Sequence, residues 1–378
     1  MKLPRAAASS TSPTSTPTAS RRQALKLAAL GGAGMAAPAV STAQTTTLRF
    51  QSAWPAKALF HEFAVDVCKD IEQSTGGRVK IQMLPAGAVV PPLQILEAVS
   101  KGTLDGGHSI PAFWFGRNTA FGLYGAGPNF GMDANQLLGW IEYGGGRQLY
   151  AEALASAKLD VTTLLYGPIP CEPFGWFRKE IKTPADLKGL KYRTSGLSVD
   201  MMQVMGAAPV QLAPGDIVPS LERGVIDAAE FANITDDRGL GFPDVTKFYY
   251  LQSYHQANNV FDLNFNKAKY DAFSPEIKGL INTALHAASS RMAWKSMDRM
   301  ADDLIGMQNK DGVKVMKTPQ SILAAQLDAW TKVIATRSAE NPLFAKIVDS
   351  QKMWAKKVVY LSELTTVDSL PAYRKFFG

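Results

Sequence analysis

Three charged residues stand where ligand chemistry is possible. Arg193 ends the run Leu190-Lys191-Tyr192-Arg193 and precedes Thr194-Ser195-Gly196. Glu230 ends Val225-Ile226-Asp227-Ala228-Ala229-Glu230 and precedes Phe231. Glu172 sits in a rigid loop, Gly167-Pro168-Ile169-Pro170-Cys171-Glu172-Pro173. The first two runs read as strands, and in open α/β sheets ligands sit beyond the carboxyl ends of strands. A guanidinium there suits a carboxylate, because its planar fork donates two parallel hydrogen bonds. Such charge-assisted bonds contribute about 1.5–3 kcal/mol each. Thr194 and Ser195 offer further donors. On the pattern alone, a surface salt bridge is the plainer reading of Arg193. Two acids facing one crevice also open an acid–base reading, an exported hydrolase or lyase using Glu172 and Glu230. Trp54, Phe113, Trp114 and Phe231 are candidates for shaping a pocket, with Tyr166 behind them, and each is equally well read as core. His255 and Gln256, in the segment returning before Asn264-Phe265-Asn266-Lys267, are candidates for setting specificity.

Other chemistries lack their residues. The histidines are His61, His108, His255 and His286, and none has a partner at zinc spacing. His61-Glu62 begins like the zinc-protease helix, but Val65 stands where the second His is required. No nucleophile elbow, Walker loop or dinucleotide fingerprint occurs. Gly144-Gly145-Gly146-Arg147 is glycine-rich without the Lys-Ser/Thr of a phosphate cradle. Asp236-Asp237 reads as a helix cap or a solvated pair rather than a catalytic one.

The elements that must position these residues follow an α/β rhythm. Thr47 to Ser52 reads as a strand, His61 to Ser74 as a helix with Phe63, Val67 and Ile71 on one face, and Val79 to Leu84 as a strand. A helix near Leu93 to Ser100 turns at Lys101-Gly102 into a strand beginning at Thr103. The same unit recurs as Pro219 to Glu222, Arg223-Gly224 and then Val225-Ile226-Asp227, with a Gly suited to the position after each helix. One copy in each half suggests two similarly built lobes. A strand ending at Leu164-Leu165-Tyr166 precedes the Glu172 loop. From Ser274 on the pattern is helical, with Ser274 as cap and Pro275 at the first turn. Ile277 to Ile305 and Ser321 to Arg337 are long amphipathic runs. The expected division is lobe 1 over 44–165 plus about 255–305, lobe 2 over 166–254 plus about 306–345, and a helical tail over 346–378.

The first 43 residues differ from the rest. They are rich in Ser, Thr, Pro and Ala, then run through Arg21-Arg22 into a short apolar stretch broken by Gly31, Gly32 and Gly34. Small residues in Ser41-Thr42-Ala43 close it. This is a secretory signal, and the paired arginines with a weak apolar core point to the twin-arginine route. The stretch is shorter than the ~20 residues that span a bilayer. The chain has 40 basic and 33 acidic residues. Five of the basic ones, and no acid, lie in residues 1–43, so the remainder is nearly balanced at +2. No basic stripe is left for nucleic acid. Cys68 and Cys171 are expected to be unpaired, mostly buried thiols despite the oxidising compartment.

Several segments jointly resemble the substrate receptors of tripartite ATP-independent periplasmic (TRAP) transporters. They are Ile181-Lys182-Thr183-Pro184-Ala185-Asp186-Leu187-Lys188-Gly189-Leu190-Lys191-Tyr192-Arg193, Gly206-Ala207-Ala208-Pro209-Val210, and Glu222-Arg223-Gly224-Val225-Ile226-Asp227-Ala228-Ala229-Glu230. Pro85-Ala86-Gly87 and Lys101 to Asp105 extend the similarity over nearly all of the exported chain. Gly175-Trp176-Phe177-Arg178 and Asp236-Asp237 with Gly239-Leu240-Gly241-Phe242 are similar to the branch that binds 2-oxo acids.

The resemblance implies a two-lobed periplasmic binding protein that closes on a small organic carboxylate, delivers it to membrane subunits and catalyses nothing. Arg193 matches the signature arginine that grips the ligand carboxylate. In the 2-oxo-acid branch a cation bridges ligand and protein through an amide side chain and an acid. Glu230 matches the acid, whereas Glu172 stands where the amide is expected and Phe231 where Trp is usual. Two acids and a ligand carboxylate favour a hard divalent cation such as Ca²⁺ over Na⁺, held by Glu172, Glu230 and the residue position of Phe231. A metal-free alternative has Glu172 accepting the N–H of a lactam acid such as pyroglutamate. No organic cofactor is implied. Some members form dimers by swapping a C-terminal helix, which this helical tail would allow. On these readings Arg193→Gln removes ligand binding with little change in stability.

Overall fold

The computed structural model describes residues 45–378, so the export segment expected over residues 1–43 lies outside it. Its strands are β1 (Thr46–Ser52), β2 (Val79–Leu84), β3 (Gly106–Ser109), β4 (Val161–Ile169), β5 (Gly175–Phe177), β6 (Lys191–Arg193), β7 (Ala208–Val210), β8 (Ala228–Ala229), β9 (Phe248–Tyr250), β10 (Asn259–Asn266) and β11 (Lys314–Met316). They form a five-stranded sheet in the order β2-β1-β3-β10-β4 and a six-stranded sheet in the order β11-β9-β5-β8-β6-β7. In the first, β1 is parallel to β2 and β3, and β10 is antiparallel to β3 and β4. In the second, β6 is parallel to β7 and β8, while β5 is antiparallel to β8 and β9. The chain has the expected α/β fold with two sheets.

The chain crosses between the sheets at residues 170–174 and 251–258, and a third time through residues 267–313. The first two crossings are tied together, since the Glu172 N–H donates to Gln256 O at 3.0 Å. Strand β4 runs to Ile169, beyond the strand end expected at Tyr166. It can do so because β4 is an edge strand, where a proline costs no ladder bond. Pro168 pairs with Val260 beside an irregularity at Val260/Phe261. The rigid loop therefore starts at Pro170 and not at Gly167.

The recurring helix-to-strand unit has the same geometry twice. Helices α1 (Leu59–Ser74), α2 (Ile95–Ser100), α3 (Ser198–Val204), α4 (Ile217–Glu222) and α5 (Ile234–Leu240) are connectors between strands. After α2, Gly102 has φ +76°, and after α4, Gly224 has φ +74°, a conformation a side chain would strain. Leu104 and Ile226 then enter the core. Asp105 accepts the N–H of Arg49 at 2.8 Å and Asp227 that of Lys191 at 3.0 Å, each at its neighbouring parallel strand. The side chain of Asp105 thus begins the ladder, and β3 starts at Gly106 rather than at Thr103.

The C-terminal half is α6 (Pro275–Asn309), α7 (Gln320–Glu340), α8 (Pro342–Thr365) and α9 (Leu370–Phe377). Ser274 caps α6, accepting the Ile277 N–H at 3.2 Å. Helix α6 packs on α1 and β4 of the first sheet and on α5 beside the second. No helix among the described residues is long and apolar enough to cross a membrane. Both cysteines are free. Cys68 is buried as expected, but Cys171 is exposed, with Pro170, at the outer start of a crossing whose residues 172–174 turn inward.

Candidate functional site

The parallel pairing of β6 and β8 sets Arg193 opposite Ala229, so Glu230 follows directly at the carboxyl end of β8. Arg193 and Glu230 are 1% and 0% exposed. Their ion pair exists, with Arg193 Nη1 to Glu230 Oε1 at 3.1 Å, but it is buried and not on the surface. The guanidinium is heavily engaged. Nη1 also donates to Glu230 O at 2.9 Å, while Nε and Nη2 donate to Leu212 O at 3.2 and 3.0 Å. Of the five N–H groups a guanidinium carries, one on Nη2 keeps no protein acceptor. The fork is therefore not free for a bidentate grip in this conformation.

Glu172 arrives from the 170–174 crossing and is 1% exposed. Its Oε1 accepts from Asn259 Nδ2 at 3.3 Å. Its Oε2 and Glu230 Oε2 have no hydrogen-bond partner. Thr194 Oγ1, His255 Nε2 and Gln256 Nε2 are likewise buried and unpartnered. Glu172, Glu230 and His255 each place a ligating atom within 4.8 Å of the others. Burial, then the charge of Glu230, holds the Glu172 carboxyl well above its ordinary range. Burial also raises Glu230, against the opposing pull of Arg193. Burial and then the Arg193 charge push His255 down to about 3, so its ring is neutral. Two like charges and one guanidinium in a dry space are under-compensated.

The aromatic candidates separate. Phe231 lies beside the cluster, with the Arg193 guanidinium carbon 6.0 Å from its ring centroid. Trp54 touches Phe231 at 6.5 Å between centroids. It also donates from Nε1 to His108 Nδ1 at 2.9 Å. His108 Nε2 meets Tyr166 Oη at 2.8 Å, so Tyr166 stands two contacts behind Trp54. Phe113 packs on Trp54 at 5.5 Å. Trp114 instead donates to the buried Asp262 at 2.6 Å. The Asp236-Asp237 pair is buried, not solvated. Asp237 Oδ2 accepts from Trp176 Nε1 at 2.9 Å and Tyr249 Oη at 2.8 Å. Asp236 accepts the first N–H of α1, from Leu59. Asn259, Ser253, Gln326 and Leu212 O were not legible as site groups. The paired amides Asn258-Asn259 at the start of β10 are a local signal for Asn259 alone.

The profile of the bacterial extracellular solute-binding proteins, family 7, matches residues 50–341. The chain belongs to that family. It is an extracytoplasmic solute-binding receptor, not an enzyme. A monocarboxylate 2-oxoacid-binding periplasmic protein of Nostoc sp. (strain PCC 7120) is 29% identical over 347 residues, covering 89% of this chain and 94% of that one. A TRAP transporter solute binding protein of Bordetella bronchiseptica RB50, a mixed-occupancy dimer with copurified calcium and picolinate in one site, is 30% identical with a TM-score of 0.82. That match covers 88% of this chain and 97% of the other. A TRAP periplasmic solute binding protein of Pseudoalteromonas atlantica T6c, with bound sodium and pyruvate, is 26% identical with a TM-score of 0.80 over 89% and 100% of the two chains.

Proposed function

We propose that this receptor captures a small 2-oxo or 2-hydroxy monocarboxylate between its two sheets and delivers it to TRAP membrane subunits. The observation that carries the reading is the set of buried, unpartnered polar atoms around Arg193. Arg193 would hold the ligand carboxylate through its remaining Nη2 N–H, with Thr194 as a second donor. Phe231 and Trp54 would wall the pocket, and Tyr166 would brace Trp54 through His108.

The residues fit a divalent cation. Two buried carboxylates each carry an oxygen without a partner, and their ligating atoms lie within 4.8 Å of each other. Oxygen donors on opposite sides of a Ca²⁺ ion are separated by about 4.6–5.2 Å, twice the bond length. Glu172 and Glu230 would hold the ion, with a backbone contribution at Phe231. The ion would supply the positive charge that two acids and a ligand carboxylate lack. The Bordetella relative's calcium and the Pseudoalteromonas relative's sodium, each with a carboxylate, support a cation here. The extra acid supports Ca²⁺ over Na⁺.

Titration calorimetry with pyruvate, lactate and pyroglutamate, with and without chelator, tests this. Binding of a 2-oxo or 2-hydroxy acid that needs the cation is expected. Chelator-insensitive binding of pyroglutamate alone would replace it with a metal-free lactam receptor.

Two finer points belong to the same reading. Export would use the twin-arginine route, on Arg21-Arg22 and the glycine-broken apolar stretch. Dimerisation would use the C-terminal helices, where Tyr360, Leu361, Leu364, Leu370, Tyr373, Phe376 and Phe377 are all exposed.

A further inference from the structure

His255 lies in the 251–258 crossing with its side chain buried against the two acids. Its Nδ1 is 2.7 Å from Ser253 Oγ, and its Nε2 has no protein partner. Which nitrogen carries the proton follows from counting donors at Ser253. Gln326 Oε1 accepts the Tyr254 N–H at 2.7 Å, which turns the amide so that Gln326 Nε2 faces Ser253 Oγ at 2.9 Å. The His255 N–H reaches the same oxygen at 3.1 Å. A hydroxyl has two lone pairs and one proton. Both lone pairs are thereby filled, so the Ser253 proton must be donated. Nδ1 at 2.7 Å is its acceptor. The rival acceptor, Gln326 Oε1 at 3.2 Å, already serves Tyr254. Using it would also force Oγ to accept three donors. Nδ1 is therefore bare, and the ring proton sits on Nε2, which has no protein acceptor.

We propose that His255, fixed as the Nε2–H tautomer by Ser253 and Gln326, donates to the ligand's oxygen next to the carboxylate and so selects 2-oxo and 2-hydroxy acids over acids lacking that oxygen. The same tautomer removes His255 from any cation's ligand set, because the proton occupies the lone pair a metal would need. This deepens the carboxylate-receptor reading and rests on it. A buried donor left without its acceptor costs about 1–3 kcal/mol, or roughly five- to 150-fold in affinity.

The test pairs each 2-oxo acid with its deoxy analogue, pyruvate with propionate and 4-methyl-2-oxopentanoate with 4-methylpentanoate, in calorimetry. Wild type is expected to prefer the oxo member of at least one pair by about tenfold or more. His255→Leu should lose that preference while keeping its affinity for the deoxy acid, and His255→Gln, which restores an N–H donor, should recover part of it. Nitrogen-15 NMR of histidine-labelled wild type should show Nε2 protonated and Nδ1 bare, and Gln326→Leu should mix the tautomers. An Nδ1-protonated His255, or equal loss on both members of a pair in His255→Leu, would overturn the proposal. If wild type bound no acid of either pair and no other small carboxylate, the receptor reading itself would fall. Equal binding of both members, still dependent on Arg193, would overturn the role of His255 alone.

Discussion

Arg193, the proposed carboxylate holder, is also tied into the fold, which changes what its loss should do. A strand-end arginine in contact with solvent could be replaced at little cost. Here Arg193→Gln strands a buried Glu230 and removes the donors of Leu212 O and Glu230 O. Breaking a buried pair by deleting one partner costs about 3–5 kcal/mol. The variant is expected to lose ligand binding and also to melt well below wild type, in calorimetry and thermal denaturation. An unchanged melting temperature would show that the engagement with Leu212 and Glu230 is not what holds the residue. Glu172→Gln tests the second acid. It removes one buried charge and returns the amide that the resemblance leads one to expect. It should leave stability equal or higher, while the affinity for Ca²⁺ falls relative to Na⁺ in metal titrations of the purified protein. The strand-end positions of Arg193 and Glu230 were readable from the α/β pattern, while the ligand role expected of them came from the resemblance. The competing acceptor was not readable, because Leu212 lies 19 residues on and presents only a backbone oxygen. The Ser253–Gln326 clamp on His255 was hidden for the same reason, its parts being 73 residues apart.

At the scale of elements, the acid on α5 that caps α1 links the two sheets. Helix α1 packs on β2 of the first sheet, whereas α5 follows β8 of the second, and Asp236 supplies the acceptor α1 lacks at its own N-cap, Ala58. Asp236→Ala should cost about 1 kcal/mol in urea denaturation. Burial lifts Asp236 from its ordinary 3.8 to about 6, against the opposing donors of Leu59 and Asn233. The folded chain then holds this proton more tightly than the unfolded chain. The associated stability is present below pH 4 and is lost as pH rises through 6. Measured against Asp236→Asn, wild type should lose stability between pH 4 and 6 and change little above pH 7. A difference independent of pH would refute this. Periodicity made the helices and the two Gly-Asp turns legible. It failed at β4, where Gly167-Pro168 reads as a loop but belongs to an edge strand. For Asp236-Asp237 the helix-cap reading held for Asp236, but the helix it caps is a distant one, and neither acid is solvated.

At the scale of the whole molecule, the proposed ligand groups come from the connections between the sheets and from strand ends of the second sheet. Glu172, His255 and Gln256 lie in two crossings joined by the Glu172–Gln256 backbone bond, while Arg193, Thr194 and Glu230 come from the second sheet. Closure of the sheets on a ligand would therefore assemble the site, and a ligand shifts such an equilibrium only through contacts it makes in one state. The exposed apolar faces of α8 and α9 belong to this scale too. Light scattering should give a dimer for the full chain and a monomer after truncation at residue 359, which keeps the buried half of α8, with a monomeric full chain as the contrary result. The central claim is that the buried cluster around Arg193 holds a small carboxylate together with a cation between Glu172 and Glu230. Native mass spectrometry of the protein as purified addresses it most directly. The expected mass increment is that of one monocarboxylate plus one divalent ion, lost with chelator and absent in Arg193→Gln. A metal-free ligand adduct that survives chelator unchanged would contradict it.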